Sequence, residues 1–464
     1  MTTKLYQFQK DDVRQIEAWN GRALVANDMG LGKSLTALTY FRRNPQTHPA
    51  VVVTFASLKF NWEREAKVHI GVPAEVLEGT KPPRLKRLVN PPQLVIVNYD
   101  IVHAWIKYLK RLKPGLIIID EGQAIKDPRA RRTRMVKELC REVPHVVVLS
   151  GTPLLSRPME LFTVLNLLRP DLYPARQAFG MAHCGPRLTP WGFKFDGATR
   201  IPQLNRRLRR YLMIRRRKID VLDDLPDKIR QVVPLAIQDR KTYLEAQHNF
   251  VRWLRDTQGD AKARRAARAH RLVQMGYLKR LAATSKMQAV FEWLDLALAA
   301  SSEKRVVFAV HKTILGQLQS RYAKHCVVVD GSVTGRARQR AFDQFLRTKK
   351  TRLLIGQVDA AGAGWSAKGV PWVDIVEFGW TPGGMTQAED RAWGIGRGID
   401  GVPTTVSYLV AHGTIEEKLL KILQSKQRVL SQTLDGDARG DVLNVHDLLE
   451  RALLEREADV TFSP

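Results

Sequence analysis

Asp28-Met29-Gly30-Leu31-Gly32-Lys33-Ser34 is the stretch whose residue types and spacing point most directly to chemistry. Glycines at 30 and 32 let the backbone curl so that its N–H groups face an anion. A lysine and a hydroxyl residue directly after them supply a cation and a Mg²⁺ ligand. Met29, Gly30, Leu31, Gly32, Lys33 and Ser34 therefore read as a cradle for ATP phosphates, with Lys33 reaching the β- and γ-phosphates and Ser34 the metal. The strict pattern begins with glycine, and here that position is Asn27. The second chemical pair is Asp120-Glu121, which follows the aliphatic run Leu116-Ile117-Ile118-Ile119. Two acids at the end of a buried strand suit Mg²⁺ and an attacking water: Asp120 would hold the metal, directly or through water, and Glu121 would orient and deprotonate the water. Ser150 and Thr152, in Ser150-Gly151-Thr152-Pro153, end another aliphatic run and suit a sensor of the γ-phosphate. Upstream, the Gln9 amide is both donor and acceptor, as reading an adenine edge requires.

These residues need elements to hold them. Arg22-Ala23-Leu24-Val25-Ala26 reads as a strand before the phosphate loop, and Leu35-Thr36-Ala37-Leu38 as the opening of a helix after it. Further aliphatic runs at 50–54, 94–98, 116–119 and 146–149, separated by helical patterns, predict a doubly wound parallel sheet. A second α/β unit begins near Ser285, with strands expected around 305–310, 327–329, 352–356, 373–378 and 404–410, and it has no phosphate loop. The stretch 169–201 is rich in Pro, Gly and aromatic residues and reads as an insertion. Its His183 and Cys184 are adjacent rather than at metal-ligand spacing, which favours packing. The expected organisation is an ATP-binding lobe at 1–170, an insertion with basic helical segments at 171–284, a second lobe at 285–435 and a helical tail at 436–464.

The 464 residues carry a formal net charge of +29, an excess that calls for a polyanionic partner, most often nucleic acid. The charge is clustered. Of residues 206–218 and 262–271, one stretch is expected to contact DNA phosphates and the other can be a solvated helix face; the first has an apolar helical face through Leu208, Tyr211 and Leu212. Arg338 lies on a helical pattern that can also meet phosphates. Lys59, Asn61 and Trp62 follow a strand and offer phosphate donors and an apolar wedge. No apolar run is long enough to span a bilayer, and the N-terminal residues lack an apolar leader, so neither a membrane partner nor secretion is expected. Three cysteines, far apart and odd in number, fit a reducing interior with neither a zinc site nor a disulfide framework.

The motifs together resemble the SWI/SNF-like family of superfamily-two helicases and translocases, over nearly the whole chain. The matching stretches are Asp28 to Ser34, Ala56-Ser57-Leu58-Lys59-Phe60-Asn61-Trp62, Asn98-Tyr99-Asp100, Asp120-Glu121, Ser150-Gly151-Thr152-Pro153, Met213-Ile214-Arg215-Arg216-Arg217-Lys218 and Leu225-Pro226. Gly362-Ala363-Gly364 and Gln387-Ala388-Glu389-Asp390-Arg391 continue the series. Cys184-Gly185, Trp191-Gly192 and the stretch from Met213 to Val221 are similar to the annealing-helicase, fork-remodelling branch.

The resemblance implies two RecA-like lobes in tandem and a DNA-dependent ATPase using ATP and Mg²⁺. Such an enzyme hydrolyses ATP in the cleft between its lobes, translocates on double-stranded or branched DNA, and remodels DNA structures or displaces bound proteins. By motif, Gln387 and Arg391 would serve the γ-phosphate, Arg391 as an arginine finger, and Lys59, Asn61, Trp62 and Tyr99 would face DNA. A strand-separating helicase, or a DNA-binding scaffold with a weak ATPase, are the alternative readings. Two departures stand out. The acid motif continues Gly122-Gln123 in place of Ala-His; Gln123 can still hydrogen-bond and joins Ser150 and Thr152 as a coupling candidate, but the link from the ATP site to the second lobe is put in question. The family's second arginine is replaced by Gly394, and Arg397 is the candidate substitute. A monomer is expected, targeted by a protein partner or by DNA structure, in a cytoplasmic, nucleoid-associated bacterial or viral setting.

Overall fold

A computed structural model of the chain describes residues 3–81, 92–248, 271–333, 335–358, 367, 370–393 and 403–437. The chain divides into two compact units: Met1–Leu225 with Lys426–Val442, and Pro226–Ser425 with Leu443–Pro464.

In the first unit the strands are β1 (Arg22–Val25), β2 (Ala50–Thr54), β3 (Ala74–Val76), β4 (Leu94–Asn98), β5 (Leu116–Asp120), β6 (His145–Leu149), the pair β7 (Pro186–Thr189) and β8 (Gly192–Phe195), and β9 (Met213–Ile214). Seven of them form one sheet in the order β3-β4-β2-β5-β6-β1-β9. Every pairing in it is parallel. The continuous aliphatic runs explain this. Ala50–Thr54 and Leu94–Asn98 are buried at every position, as strands covered by helices on both faces must be.

The second unit has β10 (Lys228–Leu235), β11 (Arg305–Ala309), β12 (Cys326–Val329), β13 (Leu353–Gln357), β14 (Trp372–Ile375) and β15 (Thr404–Ala411), in the order β10-β15-β14-β11-β13-β12, again all parallel. Ion pairs are buried in its core. Arg305 meets Asp374 at 2.9 and 3.0 Å, and Lys286 meets Glu416 at 2.9 and 2.7 Å.

The expected strands are present, and the segment 171–284 is divided between the two units. Its first part stays with unit 1, where β9 extends the sheet beside β1. Its second part opens unit 2, where β10 pairs with β15 over Lys228–Leu235. An edge strand explains why β10 escapes a hydrophobicity reading: it carries Lys228, Arg230 and Gln231 and tolerates Pro234. The three cysteines are free. Among the described residues no helix is long and apolar enough to cross a membrane. The basic stretch 262–270, the Gly362-Ala363-Gly364 motif and the tail beyond 437 lie outside the described residues.

Candidate nucleotide site

Strands β2, β5, β6 and β1 are consecutive neighbours in the first sheet, so their carboxyl ends lie in a row. Neighbouring strands are about 4.8 Å apart. The phosphate loop leaves β1, Ser150-Gly151-Thr152 leaves β6, and Asp120-Glu121 ends β5. Residues almost a hundred positions apart are thereby adjacent.

Gly32 caps the helix Lys33–Arg43 with φ +73°, and Gly30 has φ +86°. The positive φ favours glycine, and a Cβ at Gly32 would also lie 2.4 Å from Gln9 Nε2 and displace that amide. The Lys33 ammonium donates to the carbonyls of Asn27 (2.9 Å) and Asp28 (3.0 Å). Burial pushes its pKa down to about 8, while Glu121, Asp28 and Asp120 act in the opposite direction. A methyl on Gly151 would come within 2.6 Å of Met29 Cγ and 3.3 Å of Lys33 Nζ, which shows how tightly the β6 end closes on the loop. Asn27 has its own task. Its amide donates to Asp12 (2.6 Å) and its oxygen accepts from the Arg216 N–H (2.8 Å). Gln9 does not present a free amide edge: its Nε2 donates to Leu31 O (3.1 Å) and its Oε1 accepts from the Tyr6 N–H (3.1 Å). In this conformation Gln9 braces the phosphate loop.

At the β5 end, Asp120 Oδ2 accepts hydrogen bonds from Thr54 Oγ1 and Trp62 Nε1, both at 2.8 Å, and the Tyr99 hydroxyl donates to the Asp120 carbonyl (2.6 Å). Burial and the neighbouring Glu121 charge raise the Asp120 pKa far above the carboxylate range, against these donors. Glu121 has φ +55° and ψ +57°, a left-handed conformation that costs a non-glycine residue about 1 kcal/mol. A hydrogen-bonded chain leads on from it. Gln123 Nε2 donates to Glu121 Oε2 (2.7 Å), Ser150 Oγ donates to Gln123 Oε1 (2.7 Å), and the Thr152 N–H donates to Ser150 Oγ (3.2 Å). Gly122 accounts for the other departure from the usual acid motif: a Cβ there would meet Val148 Cγ1 at 2.3 Å.

Arg215 and Arg216, which lie in one of the two basic stretches considered for DNA, buttress the phosphate loop. Arg215 ion-pairs with Asp28 (2.6 Å) and Asp435 (2.7 Å) and donates to Ala26 O (2.8 Å). Burial opposes its charge, but the two aspartates more than offset this and raise its pKa. Arg216 pairs with Asp12 at 3.0 Å. These partners were invisible to sequence reasoning. The distance in sequence from Asp28 to Arg215 and Asp435 leaves no local signal.

Other residues expected at DNA are also internal. Trp62 and Tyr99 are 1% and 2% exposed and support Asp120. Lys59 is buried and donates to Leu77 O (2.7 Å). Arg338 is buried with its guanidinium 5.8 Å from the Phe342 ring centroid. Packing against neighbours, rather than exposure to a backbone, is what these side chains do. Asn61 is half-buried and joins Glu65 and Arg64.

In the second unit, Gln387 sits on helix Pro382–Glu389 and Arg391 just beyond it, the latter buried. The helix is pinned to β10, because Glu389 accepts from Arg230 (2.8 and 2.7 Å), from Lys228 (3.3 Å) and from the Tyr408 hydroxyl (2.6 Å). Trp393 Nε1 donates to Pro226 O (2.7 Å). Gly394 and Arg397 lie outside the described residues.

Residues 14–286 match the SNF2-related domain, and residues 285–396 match the helicase conserved C-terminal domain. The chain is 29% identical over 446 residues to the SWI/SNF-related matrix-associated actin-dependent regulator of chromatin subfamily A-like protein 1 of Xenopus tropicalis, covering 93% of this chain and 45% of that protein. Its Bos taurus counterpart is 30% identical over 445 residues, with 93% and 45% covered. The DNA annealing helicase and endonuclease ZRANB3 of Homo sapiens is 29% identical over 459 residues, with 94% and 41% covered. The chain thus spans less than half the length of these relatives. A solved structure, the Sulfolobus solfataricus SWI2/SNF2 ATPase core in complex with dsDNA, aligns over 95% of this chain and 94% of that one, with 21% identity and a TM-score of 0.42. These matches overturn the expected bacterial or viral, nucleoid-associated setting, because the relatives are animal proteins named as chromatin regulators and annealing helicases.

Proposed function

The chain belongs to the SNF2-related family, and on that premise we propose that it is a double-stranded-DNA-dependent ATPase that translocates along duplex or branched DNA and remodels it. The observation that carries this reading is the convergence of Lys33, the Asp120-Glu121 pair and the Gln123–Ser150–Thr152 chain on adjacent strand ends. Lys33 and the N–H groups of the loop hold the β- and γ-phosphates. Glu121, held in its turn by Gln123, takes the proton of the attacking water. By the family motif, Gln387 and Arg391 of the second unit are the residues assigned to the γ-phosphate. Gln9 meets the adenine once nucleotide displaces it from Leu31.

The donor set fits Mg²⁺, which binds through one or two carboxylates and substrate phosphates rather than an all-protein cage. Among the described residues there is no cluster of three or more potential metal-ligating acids, histidines or cysteines. Two adjacent acids, the first with a pKa raised by burial and by the charge of the second, are the setting that a cation relieves. Ser34 and Asp120 would hold it, and it would neutralise charge on the transferring phosphoryl group.

The discriminating experiment pairs triplex displacement with fork unwinding. Displacement of a third strand from duplex DNA in the presence of ATP, without separation of a plain duplex, is the expected result. Unwinding of the duplex without triplex displacement would instead make the protein a strand-separating helicase.

A further inference from the structure

The hairpin β7–β8 is absorbed by none of the roles above. Leu188 pairs with Phe193 and Pro186 with Phe195, so alternation places these four on one face and Arg187 and Lys194 on the other. Trp191, at the tip, is 97% exposed, Leu188 72% and Phe193 46%. The stalk is firmly based. The Gly197 N–H donates to Cys184 O (3.0 Å), the Thr199 N–H donates to His183 O (3.1 Å), and Cys184 is fully buried in the unit 1 core. Phe195 packs against that core and stacks with Phe193, ring centroids 6.4 Å apart and planes at 15°. A rigid stalk therefore presents a bare indole to solvent, flanked by an apolar face. A contiguous exposed apolar patch of this kind marks an interaction site.

The chemistry of the hairpin selects its occupant. Its two basic residues, Arg187 and Lys194, share the single carboxylate of Asp196 at 3.4 and 3.0 Å and so leave a net positive charge, on a chain of net charge +29. An indole stacks on any base, and cations beside it track the backbone. Base faces are covered inside a continuous duplex and become available where stacking is interrupted. We propose that the β7–β8 hairpin is a junction probe: Trp191 stacks on the unstacked base face at a duplex–single-strand branch point, with Arg187 and Lys194 against the flanking phosphates. The proposal rests on the reading that this protein acts on DNA, and it names the element by which branched DNA is told from linear duplex.

The test uses the full chain, a forked DNA carrying 2-aminopurine at the junction, and a linear duplex of the same length. The wild-type protein should quench the 2-aminopurine and bind the fork more tightly than the duplex. Trp191→Ala should abolish the quench and weaken fork binding about tenfold or more, with linear-duplex-stimulated ATPase unchanged. Trp191→Phe should retain most of both signals. An alanine variant that binds and quenches the fork like wild type overturns the proposal, and so does one that loses linear and forked DNA equally. The second result would make the hairpin a general duplex contact, and the first would leave its apolar face to a protein partner. A wild-type protein stimulated by neither DNA overturns the DNA reading itself, an outcome distinct from both.

Discussion

Trp62→Phe separates an acid-supporting role from a DNA-facing one. The indole is buried and donates to Asp120 Oδ2 at 2.8 Å, beside a second donor, Thr54 Oγ1, at the same distance. A hydrogen bond to a charged group contributes about 1.5–3 kcal/mol. The bond favours the ionised carboxylate, so its loss destabilises that form and raises an Asp120 pKa that burial has already raised. At 1.36 kcal/mol per unit, the shift is about one to two pH units. The acidic limb of the kcat/KM profile for ATP should move to higher pH by that amount, and the half-saturating Mg²⁺ concentration near neutral pH should rise about tenfold. Phenylalanine keeps most of the buried ring, and a thermal melt checks that the fold persists. Anisotropy with labelled duplex measures DNA affinity, which should not change. An unmoved pH profile together with weakened DNA binding would refute the reasoning and return Trp62 to the DNA.

Four further outcomes follow from the geometry. Because burial lowers the Lys33 pKa to about 8, the free protein loses this charge above that pH. ATP binding should then take up a proton and weaken about tenfold per pH unit, seen by calorimetry in buffers of different ionisation enthalpy; flat affinity through this range contradicts the site. Gly122→Ala should lower stability by about 1–3 kcal/mol in urea unfolding, since its methyl would press on Val148; a neutral result would mean that the β6 strand gives way freely. Glu389→Gln should cost about 3–5 kcal/mol by the same assay, because it removes the buried charge that Arg230 and Lys228 are paired with at 2.7 and 3.3 Å. Asp435→Asn should raise the KM for ATP with little change in kcat, as Arg215 shifts toward Asp28 and the phosphate loop loosens; an unchanged KM would deny Arg215 its bracing role.

Much of the nucleotide site was legible because its signals are local. The phosphate loop needs Gly30, Gly32 and Lys33 within four residues, and the acid pair directly ends a run of isoleucines. Parallel strands then follow from uninterrupted aliphatic runs, and their order brings those ends together. What sequence could not show is which polar side chains turn inward. Trp62, Tyr99, Lys59 and Arg338 look like nucleic-acid contacts by type, yet each is buried against the fold. Arg215 and Arg216 sit in a basic run that reads as a DNA stripe, and their aspartates lie as far away as Asp12 and Asp435. Strand β10 was hidden by its charges, which exist to hold Glu389. The missing first glycine at Asn27 was visible but unexplained until Asp12 and Arg216 appeared on either side of its amide.

In the proposed function, DNA gates hydrolysis at the Lys33 and Asp120-Glu121 site. The most direct measurement is the steady-state ATPase rate of the wild-type protein and of Glu121→Gln, without nucleic acid and with duplex DNA, single-stranded DNA, forked DNA and RNA, at low salt. The expected result is a low basal rate, strong stimulation by duplex and forked DNA with little by single strands or RNA, and loss of turnover but not of ATP binding in Glu121→Gln. A rate indifferent to duplex DNA, or a Glu121→Gln protein that still turns over, would contradict it.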